Sequence, residues 1–189
     1  MHSALIKLGF SGGSKEPEEN IRRFYTERIH KMSNDYILEG VAKKSSLNLY
    51  NSLNLQPDNG LAYYLQNDFD FKSARIKFLA RAGKFNLRYE KSKWKNIVPP
   101  ISPTCEWCPD TIENLEHRLT ICPQFQADRA IFHETISKTI PKNLSDIFFE
   151  SPPLQQLKWI IRDEAYNLGG HDMGHTFDNI SKCFLKSVF

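Results

Sequence analysis

No apolar run in this chain approaches the eighteen or so residues that a bilayer-spanning helix requires. Cysteine is scarce, at four in 189 residues, and the opening M-H-S-A-L-I-K-L-G-F lacks the pattern of a secretory signal. A disulfide framework, which needs an oxidising compartment, therefore has little support. Strand-like alternation, internal repeats and low-complexity tracts are missing. So are the constellations an enzyme needs, since no nucleophile sits with a base and no carboxylates are paired. Gly12-Gly13-Ser14-Lys15 ends like a phosphate loop but lacks the preceding glycine spacing and strand. The expectation is a soluble intracellular protein that is not an enzyme, with nothing to separate nucleus from cytoplasm.

Against these absences, hydrophobic residues make up 40% of the chain and aromatics 12%, enough for a real core at this length. Three of the four cysteines fall in one stretch, C-E-W-C-P-D-T-I-E-N-L-E-H-R-L-T-I-C-P, with Cys105, Cys108, His117 and Cys122 in a C-x2-C-x8-H-x4-C pattern. Thiolate and imidazole are the ligands a tetrahedral zinc ion prefers, and four protein ligands leave no open position for substrate water. Metal here would be structural. The proline-rich Pro99–Pro103 run leads into a turn carrying Cys105 and Cys108. Asp110 reads as a helix N-cap, with Glu113 completing a capping box. That helix would carry Ile112, Leu115 and Leu119 on one side and present His117 to the turn, and Pro123 would open the next helix. A redox Cys-x-x-Cys pair and unrelated thiols are the other readings of the same residues.

Charge is unevenly spread. Between Lys72 and Lys95 stand nine basic residues and a single acid, Glu90, so this segment carries about +8 in a chain whose net charge is +3. The segment divides at Gly83. Before it, Phe71, Ala74, Phe78, Ala82 and Phe85 form an apolar stripe, and Lys77, Arg81 and Lys84 share another face. After it, Leu87 and Trp94 share a face, while Arg88, Lys91 and Lys95 line up, with Lys93 between them. Two helices that bury one side and show cations on the other would produce this pattern. Such a face suits phosphate contact, although a plain solvated surface has the same look. Trp107, between the leading cysteines, could stack on an unpaired base or pack on the helix bearing His117.

Elsewhere the periodicity is helical throughout, which predicts a mainly α fold with an embedded zinc knuckle. Residues 1–16 read as a flexible N-terminus and 17–70 as a helical connector. The connector would have one helix starting near Pro17 on acidic Glu16, Glu18 and Glu19, and a second from about Leu38 to Leu55. Residues 71–140 would form the basic helices and knuckle, and 141–189 a set of C-terminal helices without an assignable role. Gly169–His175 reads as a polar loop, which argues against a metal pair at His171 and His175. Cys183 reads as a buried thiol.

The run F-L-A-R-A-G-K-F-N-L-R-Y-E-K-S-K-W-K, followed by C-x2-C and E-H-R-L-T-I-C-P-Q-F, resembles the C-terminal zinc-binding region of non-LTR retrotransposon reverse transcriptase polyproteins. The likeness spans about residues 20–137 and is strongest from 75 to 126. It implies Zn2+ on Cys105, Cys108, His117 and Cys122, and a module that grips single-stranded or structured RNA or DNA beside a polymerase. The rest of such a polyprotein would be its partner, and no membrane would be involved. The chain has no Tyr-x-Asp-Asp signature and no endonuclease motif, so the resemblance does not extend to polymerase activity. The rival reading is a zinc-stapled protein-interaction module of retroelement origin. Acidic side chains neutralising the basic helices would mark it.

Overall fold

The computed structural model describes residues 18–44, 63–66 and 71–189, in two compact units. The expectations for residues 1–16 and for most of the Leu38–Leu55 helix lie outside the described residues. In the first unit the described chain is one helix, α1 (Glu18–Lys43), running straight through Leu38 where a second helix had been expected to start. Ile21, Phe24 and Tyr25 are half-buried, but Ile29 and Met32 are exposed, so burial of its apolar residues fades along the helix.

The second unit holds the knuckle. It comprises α2 (Tyr63–Gln66), α3 (Phe71–Ala82), the single turn α4 (Arg88–Lys91), α5 (Gln126–Thr139), α6 (Lys142–Glu150), α7 (Pro153–Ile161) and α8 (Glu164–Val188). A π-helical turn, His117–Ile121, and a 3-10 turn, Pro123–Phe125, lead into α5. Among the described residues there is no strand, only an isolated antiparallel bridge between Thr104 and Ile112. The fold is mainly α, as the periodicity implied.

One core runs through this unit. Ala80 of α3, Leu87, Leu115 and Leu119 of the knuckle, and Phe132, Phe148, Trp159, Phe177 and Val188 of the later helices belong to the same buried cluster. Phe132 stacks on Phe184 at 4.4 Å, and Phe148 meets Phe132 and Phe177 edge-on at 5.8 and 5.7 Å. Offset and edge-on rings are the arrangements the aromatic quadrupole favours. The boundary drawn at residue 140 therefore divides a shared core. The C-terminal helices supply the knuckle's hydrophobic floor.

The helix α8 absorbs the glycines that had suggested a loop. Gly170 takes φ 77°, which kinks the helix, and helical backbone resumes beyond it. Gly174 is buried against Tyr166, whose ring would overlap any Cβ placed there. Exposed His171 and half-buried His175 lie on this helix, with Asn179 3.3 Å from His175, and neither belongs to a cluster of three or more potential metal ligands among the described residues. Cys183 is exposed, because the buried side of α8 passes through Ser181, Lys182, Phe184 and Leu185 instead.

The orientation of α3 corrects the sequence reading most. Its buried side is Ser73, Ala74, Lys77 and Ala80, whereas Phe71 is 83% and Phe78 56% exposed. Lys77 is drawn inward by an ion pair with Asp178 of α8, which also accepts from Lys182 at 2.7 Å. Arg81 pairs with Asp163 at 3.1 Å. Opposite charges on a facing helix have thus outweighed the apolar pattern of α3 itself. Burial works to raise the Asp178 pKa, but the Lys77 and Lys182 ammoniums outweigh it and hold the carboxyl below its usual range. A depressed carboxylate contributes stability above its unfolded pKa, and that contribution is lost as pH falls through the folded value.

Asp178→Ala strands two buried ammoniums and is expected to cost about 3–5 kcal/mol in urea unfolding. Lys77→Met leaves Asp178 paired with Lys182 and is expected to cost distinctly less. Equal losses in the two variants would show that Lys182 does not share the carboxylate.

Candidate metal centre and its basic flank

The chain enters the site as a tight hairpin. Cys105 N–H donates to Thr111 O at 2.8 Å, Thr111 N–H to Cys108 O at 2.9 Å, and Glu113 N–H to Pro103 O at 2.9 Å. These bonds hold Cys105 and Cys108 on one tip. The helix after the hairpin starts later than the capping box at Asp110 suggested. Asn114 Oδ1 accepts from His117 N–H at 2.8 Å, so Asn114 is the cap and His117 stands in the first turn. Glu113 is freed for another use, described below. The turn then widens, with Cys122 N–H donating to His117 O, which brings Cys122 back under the imidazole.

The four ligand atoms lie within 4.8 Å of one another. Cys105, His117 and Cys122 are buried and Cys108 is half-buried. The Sγ atoms of Cys105 and Cys122 are 3.8 Å apart, too far for a disulfide. That separation is the edge, about 3.8 Å, of a tetrahedron with metal–sulfur bonds of about 2.3 Å. Both ring nitrogens of His117 are buried without a hydrogen-bond partner. An imidazole with neither nitrogen satisfied is costly to bury, and a metal ion would relieve it. Burial lowers the His117 pKa, keeping a lone pair free at neutral pH. Burial and the adjacent Cys105 and Cys108 thiols push Cys122 up to about 11 without metal. The residues fit a soft, tetrahedral divalent ion.

Three thiolates around a divalent ion leave one negative charge in excess. Arg129 of α5, 9% exposed, would answer it. Its Nη2 donates to Cys122 O at 2.6 Å and reaches Ile121 O at 3.4 Å, so the guanidinium also satisfies the last carbonyls of the widened turn. Nothing in the sequence marks Arg129, because its role depends on α5 folding back along the turn.

The residue after His117 links the centre to the C-terminal helix. The Arg118 guanidinium lies 4.5 Å from the Phe125 ring centroid and 4.8 Å from that of Phe189. It donates to Val188 O at 3.3 Å and to Glu113 Oε1 at 2.9 Å. The other Glu113 oxygen accepts from Arg88 N–H at 3.1 Å. Glu113 therefore joins the basic turn α4 to the knuckle, and Arg118 joins the knuckle to the end of α8.

The cations named from the sequence separate into two groups. Lys77 and Arg81 face inward on α8 and Asp163 and are not placed to meet phosphate. Arg88 is neutralised by Glu106 and donates to Ser102 O at 3.3 Å. Lys84, Lys93 and Lys95 are exposed and Lys91 is partly so, and among the described residues none makes an ion pair. Lys93 Nζ sits 3.8 Å from the Tyr89 ring centroid. The second basic helix is only one turn long, which leaves Trp94 50% exposed rather than packed beside Leu87. Trp107 is 62% exposed at the hairpin tip, so its ring is turned outward and not against the His117 helix.

No family model, curated protein or solved structure matches this chain. No helix among the described residues is long and apolar enough to cross a membrane.

Cobalt(II), whose tetrahedral thiolate complexes are coloured, reports the site directly. Cys122→Ser is expected to abolish or sharply weaken the tetrahedral spectrum. Arg129→Met, which removes no ligand, is expected to lower affinity about 10–100-fold while preserving the spectrum's shape. An unchanged affinity in Arg129→Met would remove the guanidinium from the charge balance.

Proposed function

We propose that this chain is a zinc-stabilised nucleic-acid-binding module, related in kind to the C-terminal part of non-LTR retroelement reverse transcriptases and without polymerase activity of its own. Zinc is the ion that three thiolates and one imidazole select best among common divalent metals, and a closed four-ligand site has no place for catalysis. Its contribution is folding free energy. The ion draws the Cys105–Cys108 hairpin onto the His117–Cys122 turn, and through Glu113 and Arg118 the basic flank and C-terminal helix share that anchor.

The observation that carries nucleic-acid binding is the set of cations left over. Arg75, Lys84, Lys91, Lys93 and Lys95 make no ion pair among the described residues, and Arg88 and Tyr89 tie their segment to the metal hairpin. Exposed Trp94 and Trp107 add stacking surfaces to the same region. Such contacts hold a strand in place and carry little sequence information. The resemblance noted above favours RNA over DNA.

The rival protein-interaction reading draws on Lys77, Arg81 and Arg88, whose charges are met by acids of the chain itself. Neutralisation of that kind does not reach Arg75, Lys84, Lys91, Lys93 or Lys95, for which no ion pair is found among the described residues. The surplus on the exposed side supports the polyanion as partner.

The triple variant Lys84→Glu, Lys93→Glu, Lys95→Glu changes only exposed side chains and is expected to fold and hold metal normally. Binding to single-stranded RNA across a salt series is expected to weaken strongly, with the log–log slope reduced by about 2. Chelation of the metal should also abolish binding by the parent chain. Tight metal with no RNA or DNA affinity at low salt would favour a protein partner instead.

A further inference from the structure

The inward turn of α3 has a counterpart on its other side. With Lys77 held by Asp178, the face carrying Phe71, Lys72, Arg75 and Phe78 points to solvent, and Phe71 and Phe78 are 83% and 56% exposed. Neither phenylalanine makes a ring contact with any described residue. A helix docked on a core by a buried ion pair has no structural need for two phenylalanines outside. Two exposed rings with a cation between them form a pattern a partner could use.

The spacing narrows the partner. Phe71 and Phe78 are seven residues apart, so their rings are about 10.5 Å apart along the axis, with Arg75 on the same face between them. Bases of a duplex strand follow each other at about 3.4 Å, so the rings are too far apart for adjacent bases in a regular stack. They suit bases splayed from an extended single strand, each lying on a phenyl face, while the intervening phosphate meets the Arg75 guanidinium. The helix residues Phe71–Ala82 include no acid, so nothing on α3 repels a polyanion. Aromatic faces in a cationic setting complement a strand that is both stacking and anionic. An acidic peptide would use the cation and leave the rings idle.

We propose that the outward face of α3, through Phe71, Arg75 and Phe78, is a stacking platform for unpaired bases of a single-stranded nucleic acid. The proposal rests on the nucleic-acid reading above and gives it a second contact surface, chemically distinct from the lysines after Gly83. Stacking tolerates any base, so the platform confers a preference for single strands over duplexes rather than for a sequence.

The test uses the full, metal-loaded chain with a fluorescent oligouridine, its deoxy counterpart and a duplex of equal length. Circular dichroism and cobalt spectra establish that each variant is folded. Phe71→Ala with Phe78→Ala is expected to weaken single-strand binding at least about tenfold and to leave duplex binding nearly unchanged. Phe71→Leu with Phe78→Leu keeps apolar bulk without a π face and should lose as much, whereas Phe71→Trp with Phe78→Trp should restore it. Arg75→Gln should weaken binding and lower the salt slope. Leucine variants that bind like the parent, or variants that lose self-association rather than RNA, would overturn the platform. Parent binding that survives in the alanine variant but fails in the lysine-to-glutamate triple variant sinks this proposal alone. A parent with no affinity for any strand sinks both it and the function it rests on.

Discussion

Three thiols and an imidazole brought within 4.8 Å of one another, mostly out of water, form an arrangement that protein contacts alone do not explain. Burial and neighbouring thiols push Cys108 and Cys122 toward the protonated form, and the imidazole has both nitrogens unsatisfied. Each group would be satisfied by the same event, the arrival of a divalent ion that replaces the thiol protons and takes the histidine lone pair. The hairpin at Cys105, the cap at Asn114 and the widened turn ending at Cys122 follow as the backbone needed to bring four ligands to one point. Arg129, bonded to the Cys122 carbonyl from a neighbouring helix, would complete the charge balance around such an ion.

Two side chains extend that centre into the rest of the unit. Glu113 receives Arg88 N–H with one oxygen and Arg118 with the other, which fixes the basic turn on the hairpin. Arg118, held between Phe125 and Phe189, carries the connection on to the last turn of α8. The C-terminal helices are thus the packing partner of the knuckle. They also supply Asp163 and Asp178, the carboxylates that turn α3 on its axis and decide which of its cations remain outside.

Local chemistry was legible in the sequence, and partnership across the fold was not. The Cys105, Cys108, His117 and Cys122 spacing, the helical class and the break at Gly83 all depend on near neighbours in the chain, and the structure agrees with them. The face of α3 was misread because its apolar residues, Phe71, Ala74 and Phe78, recur at helical spacing while its decisive contact is with Asp178, 101 residues away. The same limit hid Arg129 and placed Cys183 on the wrong side of α8. Gly169–Gly170 suggested a loop because glycine weakens helices, yet only Gly170 departs from helical geometry and the packed residues on either side carry the helix across.

The knuckle and its basic flank both depend on what occupies the Cys105–Cys122 centre. X-ray absorption at the zinc edge, on protein purified without chelator or added metal, reads both the ion and its neighbours. One zinc per chain with three sulfur ligands at about 2.3 Å and one nitrogen at about 2.0–2.1 Å is the expected result. Protein that carries no zinc and takes up none, or a zinc shell of oxygen and nitrogen alone, would contradict it.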